Sequence, residues 1–249
     1  MTLLGLHGFG GCGLDWTPVA EALGRTIVAP DLLGHGEAEA PEGSDQYRAV
    51  NMVESAVTAW PTENPAVVLG YSMGGRVALR LALAEPKKVQ AMVLIGAQPG
   101  LENPEERAER IARDHALAGR IEENGVEWFC EHWAQQPMIR SQQNIPDAIR
   151  LTMGQRRLRN RTHGLAGSLR GFGQGAVEPV WDALGSIAVP TLLITGVNDT
   201  KYCALAQRMI RRMPRAQHCA IDNAGHCAHL ENLSAASSAI AQFLDSLSE

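Results

Sequence analysis

The sequence predicts an α/β protein whose mostly parallel sheet is flanked by helices and interrupted by an inserted helical segment. Three observations support this class. Apolar, strand-like runs alternate with helical patterns, a glycine-flanked serine stands between one such run and a helix, and the alternation stops in mid-chain and later resumes. Alternating strands and helices form parallel sheets with right-handed crossovers. The interruption predicts that two stretches of the chain build one sheet.

Short apolar and β-branched runs mark four strands in the first part of the chain. We expect strands over residues 2–6, 25–29, 67–69 and 89–95. Helices are predicted over residues 15–23, 47–60 and 76–85, with apolar residues at helical spacing in the first two. The pattern is therefore strand and helix in turn up to residue 95.

The middle of the chain breaks this pattern. No strand is predicted between residues 99 and 178, where helices are expected over 105–118, 125–134 and 147–159, joined by proline and glycine. Strands at 191–195 and 217–221 and helices at 204–212 and 234–247 restore the alternation. We therefore predict a core of residues 1–98 and 180–249, with residues 99–179 as a helical lid.

Composition limits the possible partners. The chain has 249 residues, 45% of them hydrophobic and 20% charged, which suits a single soluble α/β domain. A net charge of -5 argues against nucleic acid or an anionic membrane as the main partner. Residues 140–170 nevertheless contain seven arginines and one acid, Asp147, which suits either a small anionic ligand or a solvated basic face.

Cysteine usage and hydropathy predict a cytoplasmic protein. The five cysteines are odd in number, scattered and without a C-x-x-C pair, so neither a zinc site nor a disulfide framework is indicated. The start of the chain lacks the features of a signal peptide, and no stretch approaches the ~20 apolar residues of a membrane span. Without a cluster of metal ligands or a phosphate-binding glycine loop, we predict no metal and no cofactor.

A serine between glycines, Ser72 in Gly70-Tyr71-Ser72-Met73-Gly74, is the main chemical signal. A strand that turns at once into a helix crowds the backbone, and glycine allows the neighbouring segments to approach. Such a turn presents the serine hydroxyl at the top of the sheet, with N–H donors of the helix beneath it.

Two later loops supply the partners that a reactive serine needs. Asp199 follows the strand at 191–195, and His226 follows the strand at 217–221. An imidazole can take the serine proton, and an acid fixes the tautomer of that imidazole. The order Ser72, Asp199, His226 is the chain order of enzymes with a serine at this kind of turn. We predict that these three residues form a catalytic triad.

Backbone N–H groups are predicted to stabilise negative charge beside the serine. The candidates are the N–H of Met73 and that of Phe9 in the glycine-rich turn after the first strand. Donors of this kind are worth roughly 3–4 kcal/mol each where negative charge develops. Of the remaining histidines, His7 is expected to brace this turn and not to move protons.

Longer motifs then point to one family. They lie at residues 6–9, 70–78, 100–103, 106–110, 133–137, 164–170 and 225–232. Through them the chain resembles the α/β-hydrolase superfamily and, within it, the 2-succinyl-6-hydroxy-2,4-cyclohexadiene-1-carboxylate synthases of menaquinone biosynthesis. The resemblance covers nearly the whole chain.

The resemblance implies a lyase and not a hydrolase. The substrate of the family is a polyanion from which pyruvate leaves in a 2,5-elimination, with the histidine-activated serine as the base and without an acyl-enzyme. Arg76 and Arg110 match arginines that bind the substrate carboxylates. Arg157 is the best match for a third such arginine, with Arg156 and Arg159 as alternatives. Residues that match the lining of the same pocket are Tyr71 and Trp133.

Two other functions remain open at this stage. A carboxylesterase or C–C bond hydrolase would use Ser72 as a nucleophile but would not need several arginines in its pocket. A non-catalytic ligand-binding protein would have no reason to keep the whole triad. We expect a monomer or a weak homo-oligomer.

Overall fold

A computed structural model describes residues 1–60 and 64–247, and the strands in these residues form one six-stranded sheet. They are β1 (Thr2–Leu6), β2 (Ile27–Val28), β3 (Ala66–Tyr71), β4 (Val89–Ile95), β5 (Thr191–Gly196) and β6 (Ala216–Ile221). Their order is β2-β1-β3-β4-β5-β6, and every neighbouring pair is parallel. The predicted parallel α/β fold is confirmed, although the strand expected over 25–29 contains only two residues.

Helices cover both faces of this sheet, and three of them belong to the long stretch of sequence between β4 and β5. They are α1 (Thr17–Leu23), α2 (Ala49–Thr58), α3 (Met73–Ala84), α4 (Pro104–Ala134), α5 (Asp147–Arg157), α6 (Thr162–Phe172), α7 (Thr200–Ile210), α8 (Ala228–Glu231) and α9 (Leu233–Ser246). The helices predicted over 15–23 and 47–60 begin later than expected, because 3-10 turns occupy Gly13–Trp16 and Ser44–Tyr47.

The inner strands β1, β3, β4 and β5 are mostly apolar because both faces of the sheet are buried there, whereas the edge strand β6 is partly polar and only partly buried. Leu4 and Val68 point into one hydrophobic cluster, with α2 and α3, while Leu3 and Val67 point into another, with α1 and α9. Parallel strands covered on both sides need apolar residues at successive positions. No helix of the described ranges is both long and apolar enough to span a membrane.

The helical segment between β4 and β5 differs from the prediction in two places. The helices expected over 105–118 and 125–134 form one element, α4, with a break at Gly125, whose φ is 85° and ψ 179°. Helix α6 was not predicted, and it joins α4 through a separate hydrophobic cluster that includes Phe129 and Leu165. The lid boundaries at 99 and 179 stay a prediction.

Candidate active site

The turn at Ser72 joins β3 directly to α3, which begins at Met73 and not at residue 76 as predicted. Ser72 has φ 51° and ψ -103°, outside the regions that a non-glycine residue favours. Such a conformation costs about 1–3 kcal/mol and persists where the surroundings enforce it. A Cβ on Gly70 would lie 2.7 Å from the carbonyl oxygen of Gly74, so the turn requires glycine there.

The structure brings Ser72, His226 and Asp199 together at the carboxyl end of the sheet. Nε2 of His226 lies 3.0 Å from Oγ of Ser72, and Nδ1 lies 2.7 Å from Oδ2 of Asp199. An ionised carboxylate only accepts hydrogen bonds, so Nδ1–H donates to Asp199 and Nε2 is left to accept the serine proton. The geometry therefore allows the serine to be deprotonated by the imidazole.

The turn after β1 lies directly against Ser72. A Cβ on Gly8 would lie 2.7 Å from the Tyr71 ring and 3.7 Å from Cβ of Ser72. Within the described part of the chain, the next N–H, that of Phe9, and the N–H of Met73 donate to no protein acceptor. Both residues line the cavity that contains Ser72. Two free donors are thus available beside the hydroxyl, as an oxyanion site needs.

His7 braces this turn, as predicted from the sequence. Its Nδ1 donates to the carbonyl oxygen of Gly8 at 2.8 Å, and its Nε2 accepts the N–H of Leu32 at 2.9 Å. Burial lowers the pKa of His7, which favours the neutral imidazole that this pair of bonds requires. His7 is occupied on both nitrogens and holds the loop in place.

One cavity gathers nine of the ten residues that the sequence predicts for the site. Asp199 lies behind the imidazole, and the remaining nine line the cavity: Phe9, Tyr71, Ser72, Met73, Arg76, Arg110, Trp133, Arg157 and His226. The core elements supply the triad and Arg76. Helices α4 and α5, from the segment between β4 and β5, supply the other two arginines and the tryptophan.

Arg76 is a buried cation without an acidic partner in the described residues. Its side chain lies one helical turn after Ser72, and its Nη2 donates to the carbonyl oxygen of Phe172 at 3.0 Å. Its Nε is buried and has no partner among those residues. Burial lowers the pKa of Arg76 to about 10, so the group stays charged at neutral pH. A buried charge of this kind favours an incoming anion.

The other two arginines of the cavity differ in how they are held. Nε of Arg110 donates to Oδ1 of Asp114 at 2.8 Å, and its Nη1 contacts Oε1 of Gln174. Nε of Arg157 is buried and has no partner within residues 1–60 and 64–247. Arg110 is therefore pre-oriented by a carboxylate, whereas Arg157 has an unused donor.

Of the three alternatives for the last arginine, Arg157 is the one that lines the cavity. Arg156 instead donates to the carbonyl oxygen of Leu14 at 2.7 Å and lies 3.5 Å from Oδ1 of Asp15. Arg159 is exposed. Arg156 and Arg157 differ because consecutive side chains at the end of helix α5 point in different directions.

The remaining arginines of residues 140–170 contact protein groups away from the cavity. Those that contact protein groups outside the cavity are Arg140 with Gln135, Arg150 with Asp147, Arg161 with Ala38 and Arg170 with Glu122. Of the two explanations for the local excess of positive charge, a solvated basic face describes the exposed Arg140 and Arg150, whereas Arg161 and Arg170 are half-buried against other parts of the chain.

An aromatic wall encloses one side of the cavity. The ring of Phe9 packs edge-on against Trp133 and Phe129, with centroids 5.3 and 5.6 Å away. The Tyr71 ring lies 5.5 Å from the imidazole of His226, on which a second tyrosine, Tyr202, packs at 4.5 Å. These rings restrict the orientation of the imidazole and shield it from water.

Several polar residues of the cavity carried no recognisable sequence signal. Those missed are Asp15, Gln142 and Gln174. Gln174 links two parts of the site, because its Nε2 donates to the hydroxyl of Tyr202 at 3.2 Å while its Oε1 accepts from Arg110. No repeated motif marks such residues, whose role depends on how α6 and the following loop pack. In the part of the chain that the structure describes, no group of acidic, histidine or cysteine side chains could hold a metal ion.

Comparisons with known proteins agree with this geometry. A family model described as the alpha/beta hydrolase fold matches residues 2–233. The 2-succinyl-6-hydroxy-2,4-cyclohexadiene-1-carboxylate synthase of Salmonella heidelberg (strain SL476) is 32% identical over 245 residues, covering 98% of this chain and 93% of the relative. The chain belongs to this synthase family of the α/β-hydrolase fold.

Three further similarities also cover nearly the whole chain. A Bacillus subtilis (strain 168) protein with the same synthase name, given provisionally, is 37% identical over 97% of this chain and 89% of its own length. The solved structure of MenH from S. aureus has a TM-score of 0.90 and 28% identity, and the match covers 100% of this chain and 95% of that one. A malate-bound esterase from Thermogutta terrifontis, at 22% identity and a TM-score of 0.84, shows only the shared fold.

Proposed function

We propose that this protein eliminates pyruvate from 2-succinyl-5-enolpyruvyl-6-hydroxy-3-cyclohexene-1-carboxylate to give 2-succinyl-6-hydroxy-2,4-cyclohexadiene-1-carboxylate in menaquinone biosynthesis. One observation carries the proposal. Arg76 and Arg157, which have no acidic partner among the described residues, line the same cavity as Ser72. An enzyme for neutral esters has no use for such cations, whereas a substrate with several carboxylates needs them.

In the proposed reaction Ser72 acts as a base. Its hydroxyl proton passes to Nε2 of His226, and the resulting alkoxide takes a proton from the ring of the substrate. The electron pair of the broken C–H bond forms a ring double bond, the existing double bond shifts, and the C–O bond to the enolpyruvyl group breaks. Pyruvate leaves as its enolate, which the imidazolium can protonate. Asp199 keeps the imidazole in the required tautomer.

The remaining residues would bind and stabilise charge. Arg76, Arg110 and Arg157 would hold the carboxylates of the substrate through paired N–H donors. The N–H groups of Phe9 and Met73 would face the electron-rich intermediate and lower its energy. In this proposal the lid, residues 99–179, contributes Arg110 and Arg157 and closes over the substrate together with its aromatic side chains.

The Ser72→Ala variant tests the proposal. Without the hydroxyl, pyruvate release should fall by about 10³-fold or more, as for the loss of a triad member elsewhere. Substrate binding, measured by calorimetry, should persist because the arginines are unchanged. A variant with the rate of the wild type would remove the triad from the mechanism.

A parallel assay separates the lyase from the hydrolase alternative. Wild-type protein is incubated with the synthase substrate and, separately, with p-nitrophenyl esters. We expect pyruvate release to dominate, because the cavity is cationic and no acyl-enzyme is required. Strong ester hydrolysis without any elimination would establish Ser72 as a nucleophile and refute the lyase proposal. Binding of the substrate without turnover of either compound would indicate a ligand-binding protein.

We also infer that the protein acts in the cytoplasm as a monomer or weak homo-oligomer. All five cysteines are free thiols, as is usual in a reducing compartment. Nine of the ten residues predicted for the site line one cavity of a single chain, the arrangement that a monomeric enzyme requires. Cell fractionation and analytical ultracentrifugation measure these two properties.

A further inference from the structure

The loop that carries His226 is held by a buried carboxylate that no step of the proposed reaction uses. Glu231, at the end of α8, is only 8% exposed. Its Oε2 accepts the N–H of Gly225 at 2.5 Å, and its Oε1 accepts the N–H of Cys227 at 2.9 Å. These two amides flank His226 in the chain. The carboxylate therefore fixes the backbone on both sides of the imidazole.

A third donor reaches the same carboxylate from the segment between β4 and β5. Oγ of Ser141, in the 3-10 turn Arg140–Asn144, donates to Oε1 of Glu231 at 2.8 Å. A Cβ on Gly225 would lie 2.6 Å from Cβ of Ser141, so the absence of a side chain there allows the approach. The next residue of the turn, Gln142, lines the cavity. One short turn thus contacts both the histidine loop and the substrate space.

We propose that Glu231 is a positioning residue for His226 and that Ser141 couples the lid to it. The carboxylate does not touch Ser72 or Asp199, so it acts through the backbone of the histidine loop. Charge-assisted bonds to the backbone N–H groups on both sides of His226 hold the imidazole between Ser72 and Asp199. A shift of about 1 Å in a reacting group can lower a rate by about 100-fold. A carboxylate that fixes both flanking amides prevents such a shift.

The position of Ser141 gives this carboxylate a second role. When the lid is seated, the serine hydroxyl completes the set of donors around Glu231. When the lid moves away, Oε1 loses one of its two donors and the loop is held less firmly. The full alignment of His226 is therefore tied to the seated lid, which is also the state that brings Arg157 and Arg110 to the substrate.

The Glu231→Gln variant of the full-length protein tests the positioning role. The amide keeps the size of the side chain but replaces one accepting oxygen by an NH₂ group, which cannot accept from a backbone N–H. We expect kcat for pyruvate release to fall by about 10- to 100-fold, with KM within about twofold of the wild type. We also expect the low-field NMR signal of the His226 Nδ1 proton to shift or broaden.

Ser141→Ala removes only the donor from the lid and leaves the two backbone bonds intact, so it remains informative if the Glu231 variant does not fold. It should lower kcat by about threefold to tenfold, the range that corresponds to the net contribution of one ordinary hydrogen bond. Ser237→Ala is the matched control, because the buried hydroxyl of Ser237 has no partner among the described residues. This control should leave kcat unchanged.

Defined results would overturn the inference. They are a kcat of Glu231→Gln within twofold of the wild type, a lower melting temperature with unchanged kcat and NMR signal, or an increase in KM with unchanged kcat. A Ser141→Ala variant equal to Ser237→Ala would remove the coupling to the lid. Only the kinetic measurements, which follow pyruvate release, rest on the proposed function. If the wild type eliminates no pyruvate, the proposed function fails, and the NMR signal still decides whether Glu231 positions His226.

Discussion

Buried histidines should make the protein much less stable at pH 5 than at pH 7. Burial lowers the pKa of His35 and that of His229 to about 3, and neighbouring histidines add to the effect. Both imidazoles are therefore neutral in the folded protein, whereas in the unfolded chain they bind protons with a pKa near 6.5. A depressed native pKa stabilises the fold above pH 6.5, and this stabilisation is lost as the pH falls from there towards 3.

The magnitude follows from proton uptake on unfolding. Lowering the pH to 5 moves each site about 1.5 units below its unfolded pKa, which removes about 2 kcal/mol per histidine. The two sites together should lower the free energy of unfolding by about 4 kcal/mol. Urea titrations at several pH values measure this quantity. Carboxylates with lowered pKa values, such as that of Glu122, titrate below this interval and do not interfere.

Single substitutions assign the effect to these residues. His35→Gln and His229→Gln should each reduce the loss of stability between pH 7 and pH 5 by about 2 kcal/mol, whatever they do to the stability at pH 7. The exposed His115 provides the control, since its imidazole reaches water in both states and His115→Gln should keep the full dependence. A free energy of unfolding that stays constant between pH 7 and pH 5 would refute the reasoning. An unchanged slope in the double variant would do so too.

Two further predictions concern single side chains. Arg76→Met should lower kcat/KM for pyruvate release by about 10- to 100-fold, because a charge-assisted contact to the substrate is lost. Its stability in urea should not fall. Arg113→Met, at a side chain that is 71% exposed, should change neither kcat/KM nor stability. An equal loss in both variants would contradict the role of Arg76. Gly74→Ala should prevent folding, because its Cβ would collide with the carbonyl oxygen of Leu6. Gly119→Ala is the control: the space around its Cα is open, and the variant should stabilise α4 by about 0.5–1 kcal/mol. Circular dichroism and urea unfolding distinguish these results, and a folded Gly74→Ala protein would show that the turn has room for a methyl group.

Local sequence patterns were sufficient for the sheet and for the positions of the triad. Each triad residue follows a strand that the sequence predicts, so the strand ends determine where Ser72, Asp199 and His226 lie. Parallel strands bring such ends to one edge, and side chains that are far apart in sequence meet there. The same reasoning applies to Phe9 after β1.

The parts that were missed depend on tertiary packing. Helix α6 was not predicted because its glycines weaken the helical pattern. A Cβ on Gly164 would lie 2.5 Å from the carbonyl oxygen of Gly34, and one on Gly167 would collide with the ring of Tyr47. These glycines allow α6 to lie against that loop, a contact without a local signal. Glu231 and Gln174 were also overlooked, because the contacts that show their roles include Ser141 and Arg110, which lie far from them in the sequence.

The positive φ of Ser72 sets the stability of the protein against its activity. Glycine would adopt this backbone conformation without strain, so the residue that the proposed chemistry requires is also one that the turn accommodates poorly. Selecting random variants for thermal resistance alone should therefore enrich glycine at position 72, and only a simultaneous screen for turnover would retain the serine. The hydroxyl is thus maintained by selection for activity, in opposition to the preference of the backbone that carries it.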